Sequence, residues 1–297
     1  MGGLIELGDA RHRLRIAPAL GGGIADAVAI LNGREVPLLR PLAGVPTDAL
    51  DLGSNVLVPF SNRISGGGFS FGGNFYAVAA NSDISPHAIH GDGWQAVWQV
   101  LEQSATAVKL AHDGGNVGPF RYAARLRYDV GPDGILAELA IENHGPKLPF
   151  GGGFHPWFPR LARTEVQFDA IAVWAETPDH LPLQHLPLSD RPDWDFGRSR
   201  ALPADWINAA FTGWSGRANI RQPELGINVT MTASPELGTA HVYSPGAEAD
   251  FFCFEPVSHA TDAVNQTGMP GLAVLDRGEV MTLWMRLNWK AAEVSDA

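Results

Sequence analysis

Four short segments of the chain place polar side chains among glycines, prolines and aromatic residues. Their most reactive members are His155 and Glu255, accompanied by Arg63 and His90. An imidazole and a carboxylate are the side chains that general acid–base catalysis uses most. Three glycines, Gly151–Gly153, precede His155 and allow another backbone to approach closely. These segments are therefore candidates for carrying chemistry, and they run over Val58–Ile64, His87–Trp94, Pro149–Phe158 and Asp250–His259.

Each of these side chains also has a structural explanation when it is considered alone. Arg63 can be a surface residue at a strand end, and His155 can be a hydrogen-bonded core residue. Glu255 follows an apolar run, where a carboxylate is paired, exposed at a strand end, or catalytic. His87 and His90 are three residues apart, but no third ligand follows at helical or strand spacing, so the pattern disfavours a metal site.

Composition excludes several classes of protein. The 297 residues carry a formal charge of −11, which disfavours nucleic acid and anionic membrane surfaces as partners. One cysteine, Cys253, excludes an intrachain disulfide framework and a multi-cysteine zinc site. There is no dinucleotide-binding or phosphate-binding glycine motif, no His-Glu-x-x-His and no Gly-x-Ser-x-Gly. The first residues show no secretion signal and no apolar run reaches 18 residues, so we expect a cytoplasmic protein outside the membrane.

Alternation of apolar and polar residues predicts that the fold is all-β. Phe120–Val130 and Ile135–Ile141 alternate around a Gly131–Gly134 turn, which is typical of an antiparallel hairpin with one wet face. Asn32-Gly33 and Gly72-Gly73 are signals for tight hairpin turns. We expect one antiparallel β-sandwich domain over residues 1–297. The weak exceptions are a helix at Ala201–Ala210 and a long loop at Pro178–Pro203.

The four segments, taken in order, resemble the aldose 1-epimerase (galactose mutarotase) family. The resemblance rests on four blocks that span positions 55 to 265: Asn62-Arg63-Ile64, Ile89-His90-Gly91, Gly153-Phe154-His155-Pro156-Trp157-Phe158, and Phe254-Glu255-Pro256-Val257-Ser258-His259 with Asp262-Ala263-Val264-Asn265. The resemblance implies a large antiparallel β-supersandwich with few short helices. It also implies interconversion of the α and β anomers of a free aldose without metal or other cofactor.

The resemblance also implies a division of roles among the site residues. Glu255 is expected to be the ionised base and His155 the acid, with the pKa of His155 held up by nearby carboxylate charge. The two functional atoms are expected to lie roughly one sugar ring apart in the same pocket, each within hydrogen-bond reach of the substrate. The remaining candidates bind the sugar, and they are Arg63, His90, Trp157 and Asn208. We expect a small-molecule sugar as the partner and a monomer or homodimer as the assembly.

One position departs from the family pattern, and three alternatives stay open. The family usually has an aspartate where this chain has Asn208, which puts the substrate preference in doubt more than the reaction. A non-catalytic carbohydrate-binding domain is disfavoured by the retention of His155 and Glu255. A glycoside hydrolase or lyase on a similar sandwich is disfavoured because a hydrolase normally needs two facing carboxylates. A sugar-phosphate mutarotase would need added basic residues near His90, where the chain has Asp92.

Overall fold

A computed structural model describes residues 3–292, so the ends of the predicted 1–297 domain lie outside the described residues. Within that range the strands, in chain order, are β1 (Ile5–Gly8), β2 (His12–Ala17), β3 (Gly23–Leu31), β4 (Arg34–Pro37), β5 (Ser54–Leu57), β6 (Arg63–Ile64), β7 (Gly68–Phe71), β8 (Asn74–Ala77), β9 (Ala88–Ile89), β10 (Gln99–Gln103), β11 (Ala107–Val117), β12 (Phe120–Gly131), β13 (Gly134–Asn143), β14 (Leu148–Phe150), β15 (Gly153–Pro159), β16 (Glu165–Phe168), β17 (Ala172–Glu176), β18 (Pro182–Pro187), β19 (Arg200–Ala201), β20 (Ile207–Thr212), β21 (Arg217–Gln222), β22 (Ile227–Ala233), β23 (Thr239–Ser244), β24 (Phe251–Val257), β25 (Ala273–Leu275) and β26 (Val280–Ala291). Short 3-10 turns occur at Ala49–Asp51, Gly93–Gln95, Leu188–Asp190, Pro192–Trp194, Pro223–Leu225 and Ala263–Asn265.

Two large antiparallel sheets form the body of the protein. The larger has 11 strands in the order β1-β2-β3-β5-β15-β24-β23-β20-β17-β18, with β4 paired to β3. The smaller has nine strands in the order β10-β11-β12-β13-β26-β22-β21-β16-β19. The prediction of an all-β, antiparallel sandwich with few short helices is confirmed.

The alternation in the sequence decides which side chains enter the core. In the β12–β13 hairpin, Leu126 lies opposite Leu139 and both are fully buried, whereas the adjacent Arg127 is exposed opposite Glu138. The same period of two runs through β26, where Leu283 and Leu287 are buried. Apolar side chains from both large sheets thus belong to one continuous core.

The predicted tight turns are also confirmed. Asn32 and Gly33 have φ values of 53° and 75° and join β3 to β4, and Gly72 and Gly73, with 56° and 83°, join β7 to β8. Two consecutive residues with positive φ match the twist of the flanking strands.

Two weaker expectations are wrong. Ala201–Ala210 is not a helix, because Pro203 interrupts it and Ile207 onward pairs with β23 as a strand. Pro178–Pro203 is not a continuous loop either, since β18 lies within it and pairs with β17. Between residues 3 and 292, no helix is long and apolar enough to cross a membrane.

Candidate active site

The register of the central strands brings the predicted acid and base together. Gly153 pairs with Val257 and Trp157 pairs with Cys253, so His155 of β15 lies directly opposite Glu255 of β24. Glu255 in turn pairs with His241 of β23, and His155 pairs with Asn55 of β5. The result is a row of four polar side chains across neighbouring strands, which we call the inner row: Asn55, His155, Glu255 and His241. Directly opposed residues share a face of the sheet.

The alternation in β15 and β24 sends their aromatic residues to the other face. Phe154 and Phe254, adjacent in sequence to His155 and Glu255, are buried in the core. A Cβ atom on Gly153 would lie 2.3 Å from the carbonyl oxygen of Pro256, so glycine is required where β15 begins beside β24. Core packing of Phe154 and Phe254 therefore holds β15 and β24 in register, and this register places the side chains of the inner row.

The inner row forms the floor of a cavity of about 270 Å³, close to the lower end of small-molecule sites. All six predicted site residues line this cavity, and the full set of lining residues is Leu50, Asn55, Leu57, Asn62, Arg63, Ile84, Ile89, His90, Trp94, His155, Trp157, His180, Trp206, Asn208, His241, Tyr243 and Glu255. Residues from all four segments, together with Asn208 from outside them, thus meet at one site.

The spacing of the acid–base pair differs from the expectation. His155 Nε2 lies 3.3 Å from Glu255 Oε1, so the two groups contact each other instead of standing a sugar ring apart. The reason is the register, since directly opposed side chains on adjacent antiparallel strands lie close enough to touch. The side chain of Glu255 is only 3% exposed, against 14% for His155.

Burial lowers the pKa of His155 and raises the pKa of Glu255. The shift at His155 is opposite to the expectation. Desolvation lowers the pKa of His155 to about 4, although the sequence argument has a carboxylate holding it up. Desolvation raises the pKa of Glu255 well above its usual value, and the positive charge of Arg63 partly opposes this. Because charge is disfavoured on each group, burial favours the form of the pair in which Glu255 carries the proton and His155 is neutral.

Arg63 begins the short strand β6 and His90 directly follows its partner strand β9, and the backbones around the two residues are tied to one another. The backbone N–H of Asn62 donates to His90 Nδ1 at 3.0 Å, and the N–H of His90 donates to the carbonyl of Asn62 at 3.0 Å. Asn62 Oδ1 also accepts from the guanidinium of Arg63 at 3.1 Å. Asn62 and His90 both have left-handed backbone, with φ of 53° and 59°. Non-glycine residues in this conformation concentrate at functional sites.

Trp157 lies between the acid–base pair and a half-buried cation. Its ring stacks on His155 with centroids 5.4 Å apart, and the guanidinium of Arg40 lies 4.1 Å from its centroid. The ring of Phe251 also packs against it at 4.6 Å. These contacts make Trp157 a support for His155 within the cavity wall.

A second polar group, which the sequence patterns did not indicate, surrounds the predicted residue Asn208 of β20. Asn208 Oδ1 lies 2.7 Å from His241 Nε2, and its Nδ2 donates to Glu176 at 2.5 Å. Glu176 also accepts from the indole of Trp206 at 2.8 Å and lies 3.0 Å from His180 Nδ1. We call Glu176, His180, Trp206 and Asn208 the outer cluster. The only sequence signal for His241 was its alternation in β23, and its pairing with Glu255 depends on register.

One group near the floor has the composition of a metal site. Among the described residues, His155, Cys253 and Glu255 offer ligand atoms that all lie within 4.8 Å of one another. Burial raises the pKa of the Cys253 thiol well above its usual value, which opposes the thiolate that a metal would require. The protonated thiol of Cys253 is a weak ligand, so this cluster lacks the thiolate donor that a metal site of this composition would use.

Comparison with known proteins agrees with the fold. A family profile described as aldose 1-epimerase matches residues 3–288. The uncharacterised protein YphB of Escherichia coli K12 is 34% identical over 283 residues, which cover 90% of this chain and 95% of YphB. A crystal structure from Escherichia coli K12, provisionally assigned as an aldose 1-epimerase, has a TM-score of 0.88 at 31% identity and covers 97% of this chain and 99% of its own.

More distant structures share the fold. The GalM/aldose epimerase homologue of Caenorhabditis elegans has a TM-score of 0.82 at 17% identity, covering 98% of this chain and 99% of its own. Galactose 1-epimerase from Lactobacillus acidophilus NCFM has a TM-score of 0.78 at 14% identity, covering 98% and 95%. These likenesses confirm the predicted galactose mutarotase-like sandwich. The profile match over residues 3–288 and the 34% identity with YphB show that the chain belongs to the aldose 1-epimerase family.

Proposed function

We propose that this protein is an isomerase that interconverts the α and β anomers of a free, neutral aldose by opening and reclosing the sugar ring. The contact of 3.3 Å between His155 Nε2 and Glu255 Oε1 on the cavity floor carries the proposal. Ring opening requires one group to remove the proton of the C1 hydroxyl and another to protonate the ring oxygen. Both oxygens are bonded to C1, so two groups in contact with each other can each reach one of them.

The single proton of the pair moves in a closed cycle. The cycle begins when the shared proton shifts from Glu255 to His155 across their 3.3 Å contact. Glu255, now the carboxylate, takes the proton of O1 while protonated His155 gives its proton to the ring oxygen. This leaves Glu255 protonated and His155 neutral, the arrangement that burial favours. C1 then rotates about its bond to C2, and reclosure on the other face returns both protons. The pair therefore ends each turnover as it began.

The other lining residues suit a neutral sugar. Arg63 is the one Lys or Arg among the lining residues of this cavity in the described chain, whereas a phosphorylated sugar calls for several cations. Burial lowers the pKa of His90 well below its usual value, so its ring is neutral. Since His90 Nδ1 accepts from Asn62, Nε2 carries the proton and serves as a donor to a sugar oxygen.

The proposal predicts faster anomer exchange without any added cofactor. We would follow mutarotation of freshly dissolved neutral aldoses by polarimetry, and exchange between anomers at equilibrium by NMR. The test compares the wild-type protein with His155→Gln. At least one hexose or pentose should equilibrate faster with the wild type, and the variant should lose the effect while keeping its circular dichroism.

The alternative outcome is equally defined. If calorimetry detects sugar binding but no aldose exchanges faster, the chain is a carbohydrate-binding domain and the proposal is wrong. Loss of activity with a chelator that returns on adding metal would contradict the proton cycle.

A further inference from the structure

Glu176 stands behind the cavity wall and holds three of its lining residues. Its Oε1 accepts from Trp206 Nε1, and its Oε2 accepts from Asn208 Nδ2 and faces His180 Nδ1. All three partners line the main cavity, whereas Glu176 itself lines only the smaller recess beside it. Its side chain is 21% exposed. A carboxylate surrounded in this way can orient its neighbours without touching a bound sugar.

The strand register explains why Glu176 meets Asn208. Trp174 of β17 pairs with Ala210 of β20, so two residues further along β17 Glu176 faces Asn208. Asn208 also pairs with Tyr243 of β23. Glu176, Asn208 and Tyr243 thus form a second cross-strand row, next to the inner row and on the same face of the sheet.

The carboxylate decides how Asn208 and His241 are oriented. A carboxylate accepts hydrogen bonds only, so the Nδ2 end of Asn208 must face Glu176 and the Oδ1 end must face His241. His241 must then carry its proton on Nε2 in order to donate to Asn208. Burial lowers the pKa of His241 to about 3, so its ring is neutral and carries one proton, on either Nδ1 or Nε2. Glu176 fixes which nitrogen carries it by orienting Asn208, which lies between them.

Glu176 also contributes charge to the site. Its negative charge and that of Glu255 both act on the guanidinium of Arg63, opposing the burial that lowers the pKa of Arg63. The family resemblance implies a carboxylate at position 208, where this chain has an amide. In this chain the nearest carboxylate to that amide stands one strand further out.

We propose that Glu176 is a positioning residue that supplies, from behind the wall, the negative charge absent at position 208. It fixes Asn208, Trp206 and the tautomer of His241 so that the wall can bind sugar hydroxyls. Asn208 keeps one N–H and one lone pair for the sugar, so the wall both donates and accepts. The inference rests on the proposed function in taking this wall as sugar-binding.

The first test needs no sugar. In Glu176→Gln the new side chain has one acceptor end, so it must give up either Trp206 or the present orientation of Asn208. Nitrogen NMR of the histidine rings and indole groups should therefore show a changed His241 tautomer or a shifted Trp206 N–H. Glu142→Gln is the matched control, since Glu142 lies 3.2 Å from His144 in an exposed pair outside the cavity. If both signals are unchanged in Glu176→Gln, the inference is wrong.

The second test moves the charge. Asn208→Asp places two carboxylates in contact, and like charges in contact are strongly unfavourable, so sugar affinity should fall by about tenfold or more. The double variant Asn208→Asp with Glu176→Gln again has one amide and one carboxylate. The amide, which donates, is now at position 176, and the carboxylate, which accepts, is at position 208. The double variant should recover most of the affinity for sugar, with kcat less affected than KM. If the double variant binds sugar no more tightly than Asn208→Asp alone, the charge at position 176 does not contribute to sugar binding by the cavity wall.

The two proposals fail separately. A changed His241 or Trp206 signal in Glu176→Gln supports the positioning role whether or not any aldose is turned over. Wild-type catalysis with no response of those signals supports the proposed function and overturns the positioning role.

Discussion

Glu255 and Glu176 are two carboxylates on one face of one sheet, in opposite environments. Glu255 is 3% exposed and contacts one ionisable partner, His155. Glu176 is 21% exposed and is met by three side chains. Desolvation raises the pKa of Glu255 well above its usual value, whereas the bonds of Glu176 fix the orientation of its partners. In the proposals above, Glu255 moves a proton and Glu176 shapes the cavity wall.

The largest effect should come from changing Glu255. Glu255→Gln keeps the shape and removes the base, so kcat for anomer exchange should fall by about 10²–10⁴-fold with little change in sugar affinity. Glu176→Gln should mainly raise KM. Steady-state polarimetry and calorimetry on both variants measure the contrast. Equal losses of kcat in the two variants would remove the distinction between the carboxylates.

The pH dependence of kcat/KM should follow the buried pair. Activity requires one proton on the pair, so it should fall when a second proton binds as the pH drops through about 4, the lowered pKa of His155. The same acid limb should persist in Glu176→Gln. Circular dichroism at each pH controls for unfolding. If activity instead fell near the ordinary histidine pKa of about 6.5, burial would not determine the pKa of His155.

Trp206 should affect binding more than chemistry. It is 45% exposed at the mouth of the cavity and stacks on His180 at 5.4 Å, which suits it to contact an apolar sugar face. Since aromatic contacts are worth roughly 0.5–1.5 kcal/mol, Trp206→Ala should weaken sugar binding about three- to tenfold. Trp206→Phe keeps a ring but loses the bond to Glu176, so its effect should be smaller. A fall in kcat with unchanged affinity would place Trp206 in the chemical step instead.

The smallest effect on activity should come from His259, which is buried outside the cavity. Its Nδ1 donates to the carbonyl of Ala260, and its Nε2 accepts from the N–H of Ser61. Burial lowers its pKa to about 4, so between pH 6.5 and 4 the unfolded chain binds more protons than the folded chain. The free energy of unfolding therefore decreases as the pH is lowered through this range. His259→Gln should reduce that slope by about 1.4 kcal/mol per pH unit without altering kcat. Denaturant titrations across this range measure it, and an unchanged slope would contradict the assignment.

Local patterns in the sequence were sufficient for the strands and turns but not for their partners. The alternation around Leu126 and Leu139 and the Asn32-Gly33 turn depend on neighbouring residues, so the β-hairpins were predictable. The contact of His155 with Glu255, and of Asn208 with Glu176, depends on which strands pair and in which register. One sequence does not reveal that register.

The protonation of the pair was mispredicted for a related reason. The expectation for His155 counted a nearby carboxylate, which is a matter of residue type. The lowered pKa arises from desolvation, which depends on everything packed around the ring, including Trp157. Burial is a property of the tertiary structure, so it follows from the fold and not from the motif.

The inner row has a consequence for the synthesis of the protein. Its members come from β5, β15, β23 and β24, and strands β15 and β24 are adjacent in the sheet although 100 positions separate His155 from Glu255. A nascent chain lacks the base until Glu255 has left the ribosome, and β26, central to the smaller sheet, emerges later still. Under the proposed function, the site is therefore complete only after β24 has been made and has paired with the distant β15, and long-range strand pairing is a slow class of folding event. Recovery of anomer exchange after dilution from denaturant would consequently report completion of the whole sandwich.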